Sequence, residues 1–170
     1  GSPVSYNSLA QDLQCSDKTI KHWLGVLENM YVVFKVAPFH KNIARSILKA
    51  PKYYFYDTGQ VVGDEGAKLE NLVACSLLKE MHFREDCLGE RWSLHYLKNK
   101  DGREIDFLAV RDELAVLMVE VKWGDDSLSK NFALFEKYFK TAKKIQLVKE
   151  LKREKTYPDG AEIRIAHKWL

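Results

Sequence analysis

Glu104-Ile-Asp-Phe-Leu-Ala-Val110 and Leu114-Ala-Val-Leu-Met-Val-Glu-Val-Lys122 decide how this chain is read. Both runs are short and apolar, and they carry the β-branched and aromatic residues of strands. Asn99-Lys-Asp-Gly102, just before the first run, supplies the residues of a hairpin turn. The second run is apolar until Glu120, so it belongs in the middle of a sheet, covered on both faces. Glu120 and Lys122 are two apart and on a strand point to the same face. Cross-strand pairing then brings Asp106 beside Glu120. A second Glu-x-Lys, Glu150-Leu-Lys152, lies in a charged stretch with no acid on a preceding hairpin strand.

Working outward, Trp92 to Leu97 reads as the strand before that turn. From Gly66 to His82 the apolar positions Leu69, Leu72, Val73, Leu77, Leu78 and Met81 predict an amphipathic helix. Leu128 to Phe139 reads as a second helix. Lys144 to Val148 and Ile163 to Ala166 read as further strands. The order is helix, three strands, helix, two strands, a mixed α/β core. Glu70 sits near the start of the leading helix, which can approach the same sheet. Three carboxylates and an ammonium are then expected to converge. Oxygen ligands of this kind suit Mg²⁺ or Mn²⁺. Such an ion polarises a phosphate and acidifies a bound water. Lys122 would orient that water or stabilise charge developing on the phosphate.

The N-terminal segment has a different pattern. Leu9 and Leu13 are about one helical turn apart. Ile20, Trp23, Leu24 and Leu27 fall on one face of a second helix, capped by Ser16 or Asp17. Small Ala10 suits a close helix crossing. The spacing looks like the helix-turn-helix of winged-helix proteins, with Gln14 where that turn often carries Gly. In a DNA-binding version the second helix enters the major groove by its N-terminal residues. Lys18 and Lys21 would then neutralise phosphates, and Thr19 and His22 would reach base edges. Tyr31 to Pro38 and Lys52 to Asp57 are two β-type runs flanking a basic stretch, like the strands and tip of a wing. Lys41, Arg45, Lys49 and Lys52 would lie along the phosphate backbone.

Charge and composition bound the function. The 170 residues carry a net charge of +3. Lys18 to Lys52 holds seven Lys/Arg and one acid; Asp57 to Glu113 holds thirteen acids and eight Lys/Arg; Glu136 to Lys155 holds eight Lys/Arg and three acids. This basic–acidic–basic layout suits a protein that holds phosphates and concentrates carboxylates for a metal. The three cysteines, Cys15, Cys75 and Cys87, are odd in number and form no C-x-x-C spacing. That argues against a disulfide framework and a zinc site, and makes a reducing, cytoplasmic setting the expectation. No apolar run approaches the roughly 20 residues of a membrane span. There is no Gly-rich phosphate loop, so ATP binding through such a loop is not expected of this segment. The chain begins without methionine and reads as an excised piece.

Asp106…Glu120-Val-Lys122 with Glu70 upstream resembles the PD-(D/E)xK nuclease-like superfamily. The wider chain is similar to the C-terminal domain of unassigned function that follows the P-loop ATPase domain in a family of prokaryotic AAA-type ATPases. The residues behind this are Ser5-Tyr-Asn-Ser-Leu-Ala10, Pro51-Lys-Tyr-Tyr-Phe-Tyr-Asp-Thr-Gly59, Glu70-Asn-Leu-Val-Ala74, Gly102-Arg-Glu-Ile-Asp-Phe107, Glu120-Val-Lys122 and Trp169-Leu170. The resemblance implies a winged-helix module over residues 1–58 and a restriction-endonuclease-like mixed sheet flanked by helices over residues 59–170. It puts the catalytic set on Glu70, Asp106, Glu120 and Lys122, with Asp106, Glu120 and Glu70 as ligands of Mg²⁺ or Mn²⁺. Ile105 stands where the superfamily's motif has Pro. The implied partners are DNA and the protein's own N-terminal ATPase domain, with no membrane.

Three functions compete on these residues. One is a DNA-binding module with a metal-dependent nuclease site. Another is a non-catalytic DNA- or protein-binding regulatory domain of the ATPase. The third is a protein adaptor anchored by exposed aromatics among Tyr53, Tyr54, Tyr56, Trp123 and Trp169.

Overall fold

A computed structural model describes residues 4–39 and 50–170. Two short helices come first, α1 (Tyr6–Asp12) and α2 (Asp17–Asn29). Ser5 and Ser16 cap them, each accepting a backbone N–H three residues on, which satisfies donors that the first helical turn leaves open. Ala10 is buried where the helices meet. Gln14 takes a positive φ of 52° in the turn between them, a conformation that favours glycine.

Strands β1 (Val33–Pro38) and β2 (Lys52–Phe55) form an antiparallel pair. The pair is not free-standing. Ala37 and Pro38 of β1 run parallel to His95 and Tyr96 of β3 (Trp92–Lys98). After β2 the chain makes a short turn and enters the long helix α3 (Glu65–Leu88). Beyond β3 come β4 (Glu104–Arg111), β5 (Leu114–Lys122), α4 (Asn131–Glu136), β6 (Lys143–Val148), β7 (Lys155–Thr156), β8 (Glu162–Ile165) and α5 (Ala166–Trp169). The result is one eight-stranded mixed sheet in the order β2-β1-β3-β4-β5-β6-β8-β7. Strands from both sides of residue 58 contribute to it.

Both faces of the sheet are covered. On one, Leu69, Val73, Ala74 and Leu77 of α3 pack on Tyr54, Tyr96, Phe107, Val119 and Val121. On the other, Phe132 and Phe135 of α4 pack on Ile105, Leu108 and Met118. The apolar β5 is internal, between β4 and β6, as its composition requires. Helix α4 is shorter than the sequence pattern suggests, because residues 137–142 turn instead of continuing it.

Helix α2 forms, and its apolar face is only partly covered. Ile20 is buried, while Trp23, Val26 and Leu27 stay exposed beside Met30 and Tyr31. Of the aromatics in the adaptor reading, Tyr54 is fully buried and Tyr56 is exposed; Tyr53, Trp123 and Trp169 are half-buried. No helix among the described residues is long and apolar enough to cross a membrane.

Candidate functional site

A bulge in β4 begins the site. Leu97 pairs with Ile105 and His95 pairs with Leu108, so Asp106 and Phe107 together oppose the single residue Tyr96. An inserted residue of this kind re-aims a side chain. Phe107 packs under α3, and Asp106 reaches the point where β4 and β5 part. There its Oδ2 accepts the Val121 N–H at 2.8 Å.

Helix α3 is fixed by an amide that imitates a strand. Asn71 Oδ1 accepts the Phe55 N–H, and Asn71 Nδ2 donates to the Phe55 carbonyl, both at 2.9 Å. This satisfies the open edge of β2 and sets Glu70 against the next inward-facing residues of that strand. Tyr54 donates its hydroxyl to Glu70 Oε1 at 2.6 Å. Lys52 Nζ lies 3.2 Å from the same oxygen.

Lys52 is the centre of the α3 side. Its side chain is 1% exposed. Beyond Glu70 it is ion-paired with Glu104, and Asp106 Oδ1 is 4.0 Å away. Lys98 holds the other oxygen of Glu104 at 3.1 Å. Burial works against the Lys52 ammonium, but Glu70, Asp106 and Glu104 outweigh it and hold its pKa above the ordinary lysine value.

Glu120 and Lys122 approach from the α4 side. Val119 and Val121 point into the α3 core, so the alternation of β5 sends their neighbours the other way. Lys122 Nζ is 2.9 Å from Glu120 Oε1, and Ser129 donates its hydroxyl to that oxygen at 3.3 Å. Gln146, opposite Glu120 in the β5–β6 register, accepts the Ser129 N–H and donates to the carbonyls of Asp125 and Ser127. It thereby holds the loop that presents Ser129. The Glu120 side chain is 3% exposed, and its Oε2 is buried with no hydrogen-bond partner.

Asp106 joins the two groups. Burial first, then the carboxylates of Glu120 and Glu70, push it up to about 7; Lys52 and the Val121 N–H only partly offset them. Lys122 is held above its usual value against its own desolvation, mainly by Glu120.

Chemically, the donors are all oxygen and suit a hard divalent ion. Among the described residues no three His, Cys, Asp or Glu side chains stand ready as a metal cage. Lys52 lies among the α3-side carboxylates and neutralises them in part. The donors with capacity left for a cation are Asp106, whose repulsion from its neighbours is only partly relieved, and Glu120, with its orphaned oxygen. Those two fit a divalent ion. Glu70, also expected as a ligand, is engaged by Lys52 and Tyr54.

The sequence reading names Glu70, Asp106, Glu120 and Lys122, and the fold brings these together. The same reading places Lys52 along a phosphate backbone, whereas the fold buries it among carboxylates, and it does not assign Tyr54, Glu104, Asn71, Ser129 or Gln146 to the site. A lone lysine at the start of the aromatic run Lys52-Tyr-Tyr-Phe-Tyr56, two residues from Tyr54, is the signal that could have brought Lys52 and Tyr54 to it. Of the residues expected at DNA, Lys18, Lys21 and His22 are exposed on the first turns of α2. Thr19 is engaged by the cap, its hydroxyl 2.9 Å from Ser16 Oγ. Lys41, Arg45 and Lys49 lie outside the described residues. A wide cleft of about 1110 Å³ runs between Trp92, His95, Asp112 and Tyr138, and none of the site carboxylates line it.

The signature of a domain of unknown function, DUF4143, matches residues 65–166. The chain belongs to the DUF4143 family. DUF4143 is a domain found in AAA-ATPase-associated proteins. A second domain of unknown function, DUF8612, matches residues 1–63, so Lys52 and Tyr54 come from one signature and the remaining site residues from the other. The uncharacterized protein MJ1637 of Methanocaldococcus jannaschii is 28% identical over 166 residues, covering 91% of this chain and 33% of that protein. The chain thus spans about a third of the length of that relative. No solved structure matches.

Proposed function

We propose that this DUF4143 chain is a metal-dependent phosphodiesterase module of the PD-(D/E)xK type, carried on an AAA-type ATPase and led by a winged-helix element that docks DNA. The observation that carries the reading is Glu120: a buried carboxylate with an unpartnered oxygen, bridged to Lys122 and adjacent to Asp106 at the parting of two strands. A buried, unsatisfied carboxylate oxygen is costly in a fold that does nothing with it.

Asp106 and Glu120 would hold Mg²⁺ or Mn²⁺. When bound, such an ion acidifies a water and polarises a scissile phosphate. Lys122 stands on Glu120, half-exposed, so its ammonium can face a phosphate oxygen while its carboxylate partner fixes its position. Asp106, pushed up to about 7 by burial and by the carboxylates of Glu120 and Glu70, would hold the ion in its ionised form. The Val121 N–H holds its other oxygen in place. Lys18, Lys21 and His22 of α2 supply an exposed basic surface for the nucleic-acid backbone.

The test is a cleavage assay on single-stranded, duplex and branched DNA and RNA with Mg²⁺ and with Mn²⁺, comparing the parent with Asp106→Ala. Metal-dependent cutting that the substitution removes is the expected result. Cutting that survives Asp106→Ala overturns the site. No cutting by the parent favours the second reading, a non-catalytic DNA- or protein-binding regulatory domain. The observation on that side is Lys52, which already neutralises part of the carboxylate set from within.

A further inference from the structure

We propose that Lys52 is a resident cation of this site: its ammonium fills the place among Glu70, Glu104 and Asp106, so that a divalent ion is confined to Asp106 and Glu120. The proposal rests on the metal-dependent reading above and adds how that site is regulated in number and position of ions. It also makes the site a joint product of the two signatures, because Lys52 is supplied by the segment before α3.

The geometry carries it. A lysine ammonium is a compact charge with three donors. Three carboxylates surround this one, at 3.2 Å, in direct ion-pair contact and at 4.0 Å. Its stem is immobilised. Lys52 pairs with Val36 in the strand ladder, and its Nζ is 5.4 Å from the centre of the Tyr96 ring. The Tyr96 hydroxyl in turn donates to the Ala50 carbonyl at 2.6 Å, tying the strand start to the same wall. The ammonium is therefore enclosed by its partners and the Tyr96 ring, with 1% of the side chain exposed. Glu120 lies beyond its reach and keeps its Oε2 unpartnered, so the two halves of the cluster differ in whether a cation has been built in. Lys52 acts here as a positioning residue: it holds Glu70 and Glu104 and leaves the ion to the other half.

The experiment counts Mn²⁺ bound to the whole 170-residue chain by the loss of the free-ion electron paramagnetic resonance signal. It compares the parent, Glu120→Gln, Lys52→Met, Lys52→Arg and the pair Lys52→Met/Glu104→Gln. The pair removes one of the carboxylates that Lys52→Met strands, and so protects folding. The parent is expected to bind one ion, with affinity lowered about 10–100-fold by Glu120→Gln. Lys52→Met and the paired variant are expected to bind a further ion, or the same ion about tenfold more tightly. Lys52→Arg should match the parent. Unchanged stoichiometry and affinity in both methionine variants overturns the role of Lys52 while leaving the metal site standing. Binding by the methionine variants but not by the parent overturns the metal-dependent reading while supporting Lys52 as the occupant. Binding by none overturns both. A measurement on the unsubstituted protein decides the matter if the variants do not fold: by NMR, the Lys52 ammonium signal should persist, hydrogen-bonded, through saturation with Mg²⁺. Its loss to exchange with water on adding the ion overturns the proposal.

Discussion

Lys52 and Lys144 are both buried and both held by carboxylates, with side chains 1% and 6% exposed. Their partners separate them. Lys144 holds Glu136 at 2.8 Å and Asp159 at 2.6 Å, and those side chains are 44% and 48% exposed. Water solvates what the lysine does not. The partners of Lys52 are 16–20% exposed, they outnumber it, and Glu120 stands buried just beyond. The first arrangement is a local fastening of β6 to the turns beside it. The second concentrates negative charge that its own partners do not fully satisfy, as the unpartnered Glu120 oxygen and the raised Asp106 carboxyl record.

The two regions should respond oppositely to pH. Asp159 is held below the ordinary value, chiefly by its hydrogen bond from Lys144. Its contribution is present above the unfolded value and is lost as pH falls. Asp106 is held above its ordinary value, so the folded chain keeps a proton that the unfolded chain has released. Its burden on stability grows as pH rises from about 4 to about 7 and is constant beyond.

The largest expected effect separates the regions by activity. Glu120→Ala should lower metal-dependent cleavage roughly 10²–10³-fold, whereas Glu136→Ala should leave it unchanged. Equal losses in the two variants would erase the distinction. Next in size is stability without metal. Asp106→Asn should stabilise the chain by about 2–4 kcal/mol at pH 8 and by much less at pH 4. Denaturant titration at both pH values checks it, and a destabilised variant at pH 8 would mean that the carboxylates are not in conflict. Smaller again, Lys144→Met should cost about 1 kcal/mol, because its partners are already wet. The same titration measures it, and a loss of several kcal/mol would place Lys144 with Lys52. The smallest effect lies outside both regions. Lys18→Ala and Lys21→Ala should each flatten the salt dependence of DNA binding by about one ion, as a binding titration over a salt series would reveal. An unchanged slope would remove α2 from the DNA interface.

How much of this was legible depended on the range of the interaction. Strand alternation put Glu120 and Lys122 on one face, and their 2.9 Å contact follows from that local geometry. Apolar periodicity located α3 and its Glu70. On α2, periodicity says which residues line up and not whether anything covers them; Trp23 and Leu27 line up and are exposed. In sequence, Lys52 follows the basic stretch that ends at Lys49 and reads as part of it. Its neighbours in space are Glu70, Glu104 and Asp106.

By itself, then, the sequence determined the strands and helices around the acids, the turn at Gln14, and the pairing of Glu120 with Lys122, since each depends on residues within a few positions of one another. Only the tertiary structure decided that β1 joins β3, that a bulge turns Asp106 toward the parting of β4 and β5, and that Lys52 enters the carboxylate cluster. Those outcomes depend on which strands become neighbours. Strand neighbours are selected by burial of the whole sheet between α3 and α4, a choice to which no single stretch of the chain gives a local signal.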